Sequence, residues 1–123
     1  MDFIEKYNEK EMARVEAGSV NGIHFTRYIE NVKQLKKEKN HVEAISLLHK
    51  LVDATEKESS VSGCGVAPWY YEQLAIIYRK EKLITKEIEI LERHEQQNKA
   101  FRAKPSKIQS RLVKAREIYA KQT

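Results

Sequence analysis

The residues best placed to do chemistry are cations at helical intervals beside the single tryptophan. Trp69, Glu72, Ile76 and Arg79 recur at the i, i+3, i+7 and i+10 positions, with Lys80 alongside, so a helix would carry them on one face. Thr26, Ile29, Lys33 and Lys36 repeat that spacing earlier in the chain, with Lys37 beside them. An aromatic and several cations on one face suit an acidic peptide, a phosphate-bearing ligand or a nucleic-acid backbone. For a nucleotide, Trp69 or Tyr70 would stack on the base and Arg79 or Lys36 would meet phosphate. The competing reading is structural: the lysines form a solvated face and Trp69 packs under the neighbouring loop.

A second candidate lies in the last segment. Lys107, Arg111, Lys114 and Lys121 share one helical face, and Arg102 and Lys104 precede them. The net charge of +5 sits almost wholly in this segment. Such a cluster can neutralise several phosphates, which opens a nucleic-acid reading. Its structural alternative is a solubilising end helix whose cations complement the helix dipole.

Catalytic and metal-ligating patterns are missing from the sequence. His24, His41, His49 and His94 fall at no ligand spacing, and Cys64 is the only cysteine. Cys64 stands among glycines with no neighbouring base, and Ser-Gly-Cys-Gly lacks the Lys-Ser/Thr of a phosphate loop. No enzyme activity, cofactor or metal is expected. A lone cysteine, a polar acidic start without a secretory pattern and no bilayer-length apolar run point to a cytoplasmic protein without a membrane partner.

The elements that must carry these residues are helices. Four glycines and two prolines in 123 residues are too few for a turn-rich β fold, and Lys, Glu, Ala, Ile and Leu favour helix. No strand pairing is expected. Residues 1–24 hold a first helix with Ile4, Tyr7, Met12 and Val15 at helical spacing, ended by Gly18, Asn21 and Gly22. Residues 25–57 form a hairpin, one helix running from about Phe25 to Lys39 and the next capped by Asn40 with Glu43 completing a capping box. Its stripes are Tyr28, Val32 and Leu35, then Ala44, Leu48, Leu51 and Thr55. Residues 58–67 read as a loop because small residues and glycines dominate. Residues 68–97 form a second hairpin: Pro68 opens a helix with Tyr71, Leu74, Ala75 and Tyr78 inward, and Thr85 caps one with Ile88, Leu91 and His94 inward. A loop follows, and 105–123 form a basic helix with Ile108, Leu112, Ala115 and Tyr119 inward.

The hairpins repeat. Tyr28 aligns with Tyr71, Val32 with Ala75, Leu35 with Tyr78, Ile45 with Ile88 and Leu48 with Leu91, all at one offset of 43 residues. The pattern over residues 25–97 resembles the tetratricopeptide repeat, with Asn31 in place of a Leu and Glu87 in place of the small residue of the second helix. The resemblance implies an all-α fold of antiparallel hairpins stacked as a short solenoid, with the first and last helices as caps. It also implies that the first helices of the hairpins line a concave groove, which would gather Lys33, Lys36 and Lys37 with Trp69, Glu72, Ile76, Arg79 and Lys80. Ile29 and Glu72 stand where the family's peptide-carboxylate clamp needs other residues, so that activity does not carry over. The expected role is a non-catalytic adaptor for an acidic protein segment, with nucleic acid or a small anion as alternatives. Two repeats leave faces to cover, so a homodimer is a further expectation.

Overall fold

Two matching turns organise the molecule. The computed structural model describes residues 3–97 and 107–122. Helix α2 (Ile29–Lys37) follows a short 3₁₀ turn, Phe25–Tyr28, and helix α4 (Pro68–Lys80) starts with proline in its first turn. Both helices stop in the same way. Lys39 and Lys82 take positive φ, 58° and 60°, which ends the helical ladder. The amide of Asn40 then reaches back to the Leu35 carbonyl at 2.9 Å, as Leu83 does to Tyr78 at 2.8 Å. Glu38 donates to Gln34 and Glu81 to Ile77, each at 3.0 Å. Every member of the first set meets its counterpart at the offset read from the sequence. Helices α3 (His41–Ser62) and α5 (Ile84–Glu95) leave these turns to complete two antiparallel hairpins.

Packing runs through the chain in order. Helix α1 (Phe3–Ala17) lies on α3, α2 on α3, α3 on α4, α4 on α5, and α6 (Lys107–Gln122) on α5 with a lesser contact to α4. The core between them contains Val32, Leu48, Leu51, Tyr71, Leu74, Ile77, Leu91, Ile108 and Leu112, all essentially without exposure. The first hairpin's Ala44 and the second's Glu87 occupy matching, fully buried positions. Tyr28 and Tyr71 both pack inward but meet different neighbours. Tyr28 is half-buried with its hydroxyl donating to the Val20 carbonyl at 2.6 Å, whereas Tyr71 is enclosed by α3 and α5 and donates to Glu56 at 2.7 Å.

Several expectations need correction. A two-residue ladder is present: β1 (Ser19–Val20) pairs antiparallel with β2 (Ile23–His24). Asn21 and Gly22 both have positive φ, 52° and 79°, the geometry that favours tight hairpins. The loop placed at 58–67 is shorter, because α3 continues to Ser62 and stops only where Gly63 turns left-handed at φ 72°. Glu58 anchors that extra turn through Arg14 and His24, and Ser59 is buried. Thr85 is not a cap: α5 begins at Ile84 after Leu83, which makes no side-chain cap bond. Asn40 does cap α3, accepting from the Glu43 amide at 3.3 Å. Helix α2 starts later than Phe25, and Tyr119 is exposed while Ile118 packs inward. The second loop's centre and the cations at 102 and 104 lie outside the described residues. No described helix is long and apolar enough to cross a membrane.

Candidate anion-binding surface

Arg79 stands in the last turn of α4, where the stripe starting at Trp69 places it beside α5. Its Nε donates to Glu87 Oε1 at 3.0 Å, and its Nη2 lies 2.7 Å from Oε2 in an ion contact without hydrogen-bond geometry. Glu87 is wholly buried. Arg111, on α6, approaches the same carboxylate at 3.9 Å. Where the first hairpin has a small Ala44, the second has a carboxylate that ties together α4, α5 and α6. Arg79 is therefore not a free cation, as the sequence suggested, but half of an ion pair.

Lys36 enters from α2. Its ammonium donates to Gln73 Oε1 on α4. Burial pushes its pKa down, Lys80 and Arg111 push the same way, and Glu72 opposes them. Lys80 of α4 and Arg111 of α6, distant in sequence, thus both act on Lys36 of α2. Arg79, Lys36, Lys80 and Arg111 stand against the carboxylates of Glu72 and Glu87, leaving a net positive patch. The two candidates read separately from the sequence meet here, because Arg111 of the basic helix joins the groove residues. Lys107 and Lys114 flank Arg111 on the same side of α6, and Lys114 also pairs with Glu117 at 3.7 Å. Lys121 is exposed a few turns further along.

Trp69 is half-buried, packs against the core and meets Tyr70 edge-to-face at a centroid distance of 5.0 Å. Tyr70 is not available for stacking. It is buried, its hydroxyl donates to the Phe25 carbonyl at 3.2 Å, and burial pushes its pKa up to about 12. Ile76 and Glu72 are half-exposed, and Lys33 points to solvent with Glu30 at 3.6 Å. Lys37 is exposed as well. Trp69 and Arg79 sit at opposite ends of α4, about 15 Å apart at the rise of an α-helix.

The other polar clusters fasten helices. Arg93 donates to Glu56 and Asp53, each at 2.8 Å, while Tyr71 donates to the same Glu56. His49 Nε2 and the Tyr78 hydroxyl lie 2.7 Å apart beside a cleft of about 200 Å³. Burial and Arg93 lower the His49 pKa, and burial raises that of Tyr78. Arg14 joins Glu11 to Glu58, which also meets His24. These groups satisfy one another. Cys64 is exposed, and its sulfur lies 3.7 Å from the Ser62 carbonyl. No cluster of His, Cys, Asp or Glu among the described residues has the arrangement of a metal site.

Sequence reasoning marked Glu87 as a misfit but missed its pairing with Arg79 and the place of Gln73. Glu87 announces itself by standing 43 residues on from Ala44, the matching position of the first hairpin. Nothing in the linear sequence brings Arg111 to it. Comparison with family models, with curated proteins and with solved structures finds no match to this chain.

Proposed function

We propose that this chain is a tetratricopeptide-like binding module that holds an extended acidic segment of another protein across the surface shared by α2, α4 and α6. One observation carries the reading: Lys80 and Arg111, from two other helices, both act on Lys36, and the three cations outnumber the acids beside them. Folding such a cluster works against its own repulsion, and an anionic partner relieves that repulsion. The stacking of matched hairpins in chain order supports the solenoid reading.

The distance along α4 favours an extended occupant over a nucleotide. Trp69 and the Arg79 end are about 15 Å apart, which four or five extended residues span. Buried Tyr70 offers no second stacking face.

The test uses Trp69, the single tryptophan, as reporter. A fluorescent Glu/Asp-rich peptide and a single-stranded oligonucleotide of equal charge are titrated against the full chain. The expected result is peptide binding with a change in Trp69 emission. Exchanging Lys36 and Lys80 for Gln should weaken it about tenfold or more while the melting temperature stays within a few degrees. Peptide affinity indifferent to both exchanges overturns the reading. Oligonucleotide binding that exceeds peptide binding and collapses with salt replaces it with a nucleic-acid role.

A further inference from the structure

Lys36 and Arg79 are both held by a neighbour, but the two neighbours differ in charge. Arg79 meets the Glu87 carboxylate, whereas Lys36 donates to the neutral amide of Gln73. Gln73 belongs to α4, is 8% exposed, and takes the ammonium that crosses to it from α2. An ammonium only donates, so the amide must turn its oxygen toward it. A buried amide is costly unless it is hydrogen-bonded, so this bond fixes both side chains. Gln73 stands 43 residues on from Glu30, which is exposed. In the first hairpin a carboxylate at that position keeps its water. In the second hairpin the position meets Lys36, where a carboxylate would neutralise the ammonium as Glu87 neutralises Arg79. Glu72 offsets part of the Lys36 charge through space, and Lys80 and Arg111 act on it as like charges.

We propose that Gln73 is the positioning residue of the anion-binding surface: it fixes the Lys36 ammonium against α4 without cancelling its charge. This role rests on the binding function proposed above and deepens it. A lysine held by nothing loses rotamer freedom when a ligand orders it, which subtracts from affinity. Gln73 orders Lys36 before the partner arrives. A neutral acceptor is the group that can do so and still leave the full charge for an acidic segment.

The experiment compares Gln73→Leu, Gln73→Glu and Lys36→Gln in the full chain, with circular dichroism melts as the folding control. Affinity for the Glu/Asp-rich peptide should fall about threefold in Gln73→Leu, which changes no charge. It should fall about tenfold in Gln73→Glu, which draws the ammonium into an ion pair and keeps the side-chain shape. In a Lys36→Gln background Gln73→Leu should add nothing, because its effect runs through Lys36. A side chain that merely filled space would leave the ionisation of Lys36 alone. Followed by NMR at the Lys36 Cε without peptide, its titration midpoint should move down in Gln73→Leu and up in Gln73→Glu. Parent-like affinity in Gln73→Leu, alongside weakened Lys36→Gln, overturns the assignment. So does a loss that persists in the Lys36→Gln background, or a Lys36 midpoint indifferent to both exchanges. A peptide that fails to bind the parent chain sinks the binding function itself, while the Lys36 titration still reads whether Gln73 holds the ammonium.

Discussion

Glu87→Ala is the substitution that tests most directly how charge is built into this fold. Glu87 is 0% exposed and is held by Arg79 at 3.0 and 2.7 Å, with Arg111 at 3.9 Å. Removing one member of a fully buried ion pair costs about 3–5 kcal/mol, because the remaining charge is left unpaired. The side chains of Arg79 and Arg111 are 34% and 27% exposed, although Arg79 Nη2 is itself buried. Rehydration of their exposed parts should trim the loss to about 2–3 kcal/mol. For a domain of this size that is roughly 4 °C per kcal/mol, or about 8–12 °C in melting temperature. Glu87→Gln keeps the shape and one acceptor for Arg79 Nε, so it should lose about half as much. Calorimetry or circular dichroism melts measure both. Adding Arg79→Ala to Glu87→Ala should cost less than the sum of the singles, since the interaction is already gone.

The same variant separates stability from binding. Removing Glu87 frees two guanidiniums beside Lys36 and Lys80, so acidic-peptide affinity should rise while the melting temperature falls. A drop of less than about 2 °C would refute the buried-pair reasoning. A parallel loss of stability and affinity would show that Arg79 and Arg111 do not face the peptide.

Lys39→Gly and Lys82→Gly should each stabilise by about 0.5–1 kcal/mol, because both lysines hold positive φ at exposed turn positions. The two gains should match in urea titrations, and a loss at either would break the equivalence of the turns. His49 makes stability pH-dependent. Its folded pKa is lowered from the ordinary 6.5 by burial and Arg93. The unfolded chain therefore binds the proton first as pH falls below about 6.5, and stability drops with it. His49→Gln should flatten that slope, and an equal difference from the parent at about pH 8 and pH 5.5 would contradict it.

The hairpins were legible because their signals are local and doubled. Asn40, Pro68 and the apolar stripes each specify a helix on their own, and the constant offset of matched residues fixed the register of one hairpin against the other. The segment at 58–62 was misread for a physical reason. Its small residues have weak intrinsic preference, and long-range partners decide its state: Glu58 joins Arg14 and His24 from the far side of the hairpin. The β-hairpin was half-legible, since Asn21-Gly22 is a turn signal but two residues on each side are too few to show alternation. Ile118 rather than Tyr119 packs inward because both positions lie near the edge of the apolar stripe of α6.

The cationic surface shows why a site is harder to read than a fold. Periodicity correctly put Trp69, Glu72, Ile76 and Arg79 on one face of α4, but a face does not say which of its charges are spent. Arg79 is spent on Glu87, which stands where the first hairpin has Ala44. Once Glu87 occupies a position where the first hairpin has alanine, its charge needs partners, and the nearest cations belong to α4 and to α6. The carboxylate that stands at the position matching Ala44 lies 3.9 Å from Arg111 of α6, and Arg111 in turn acts on Lys36.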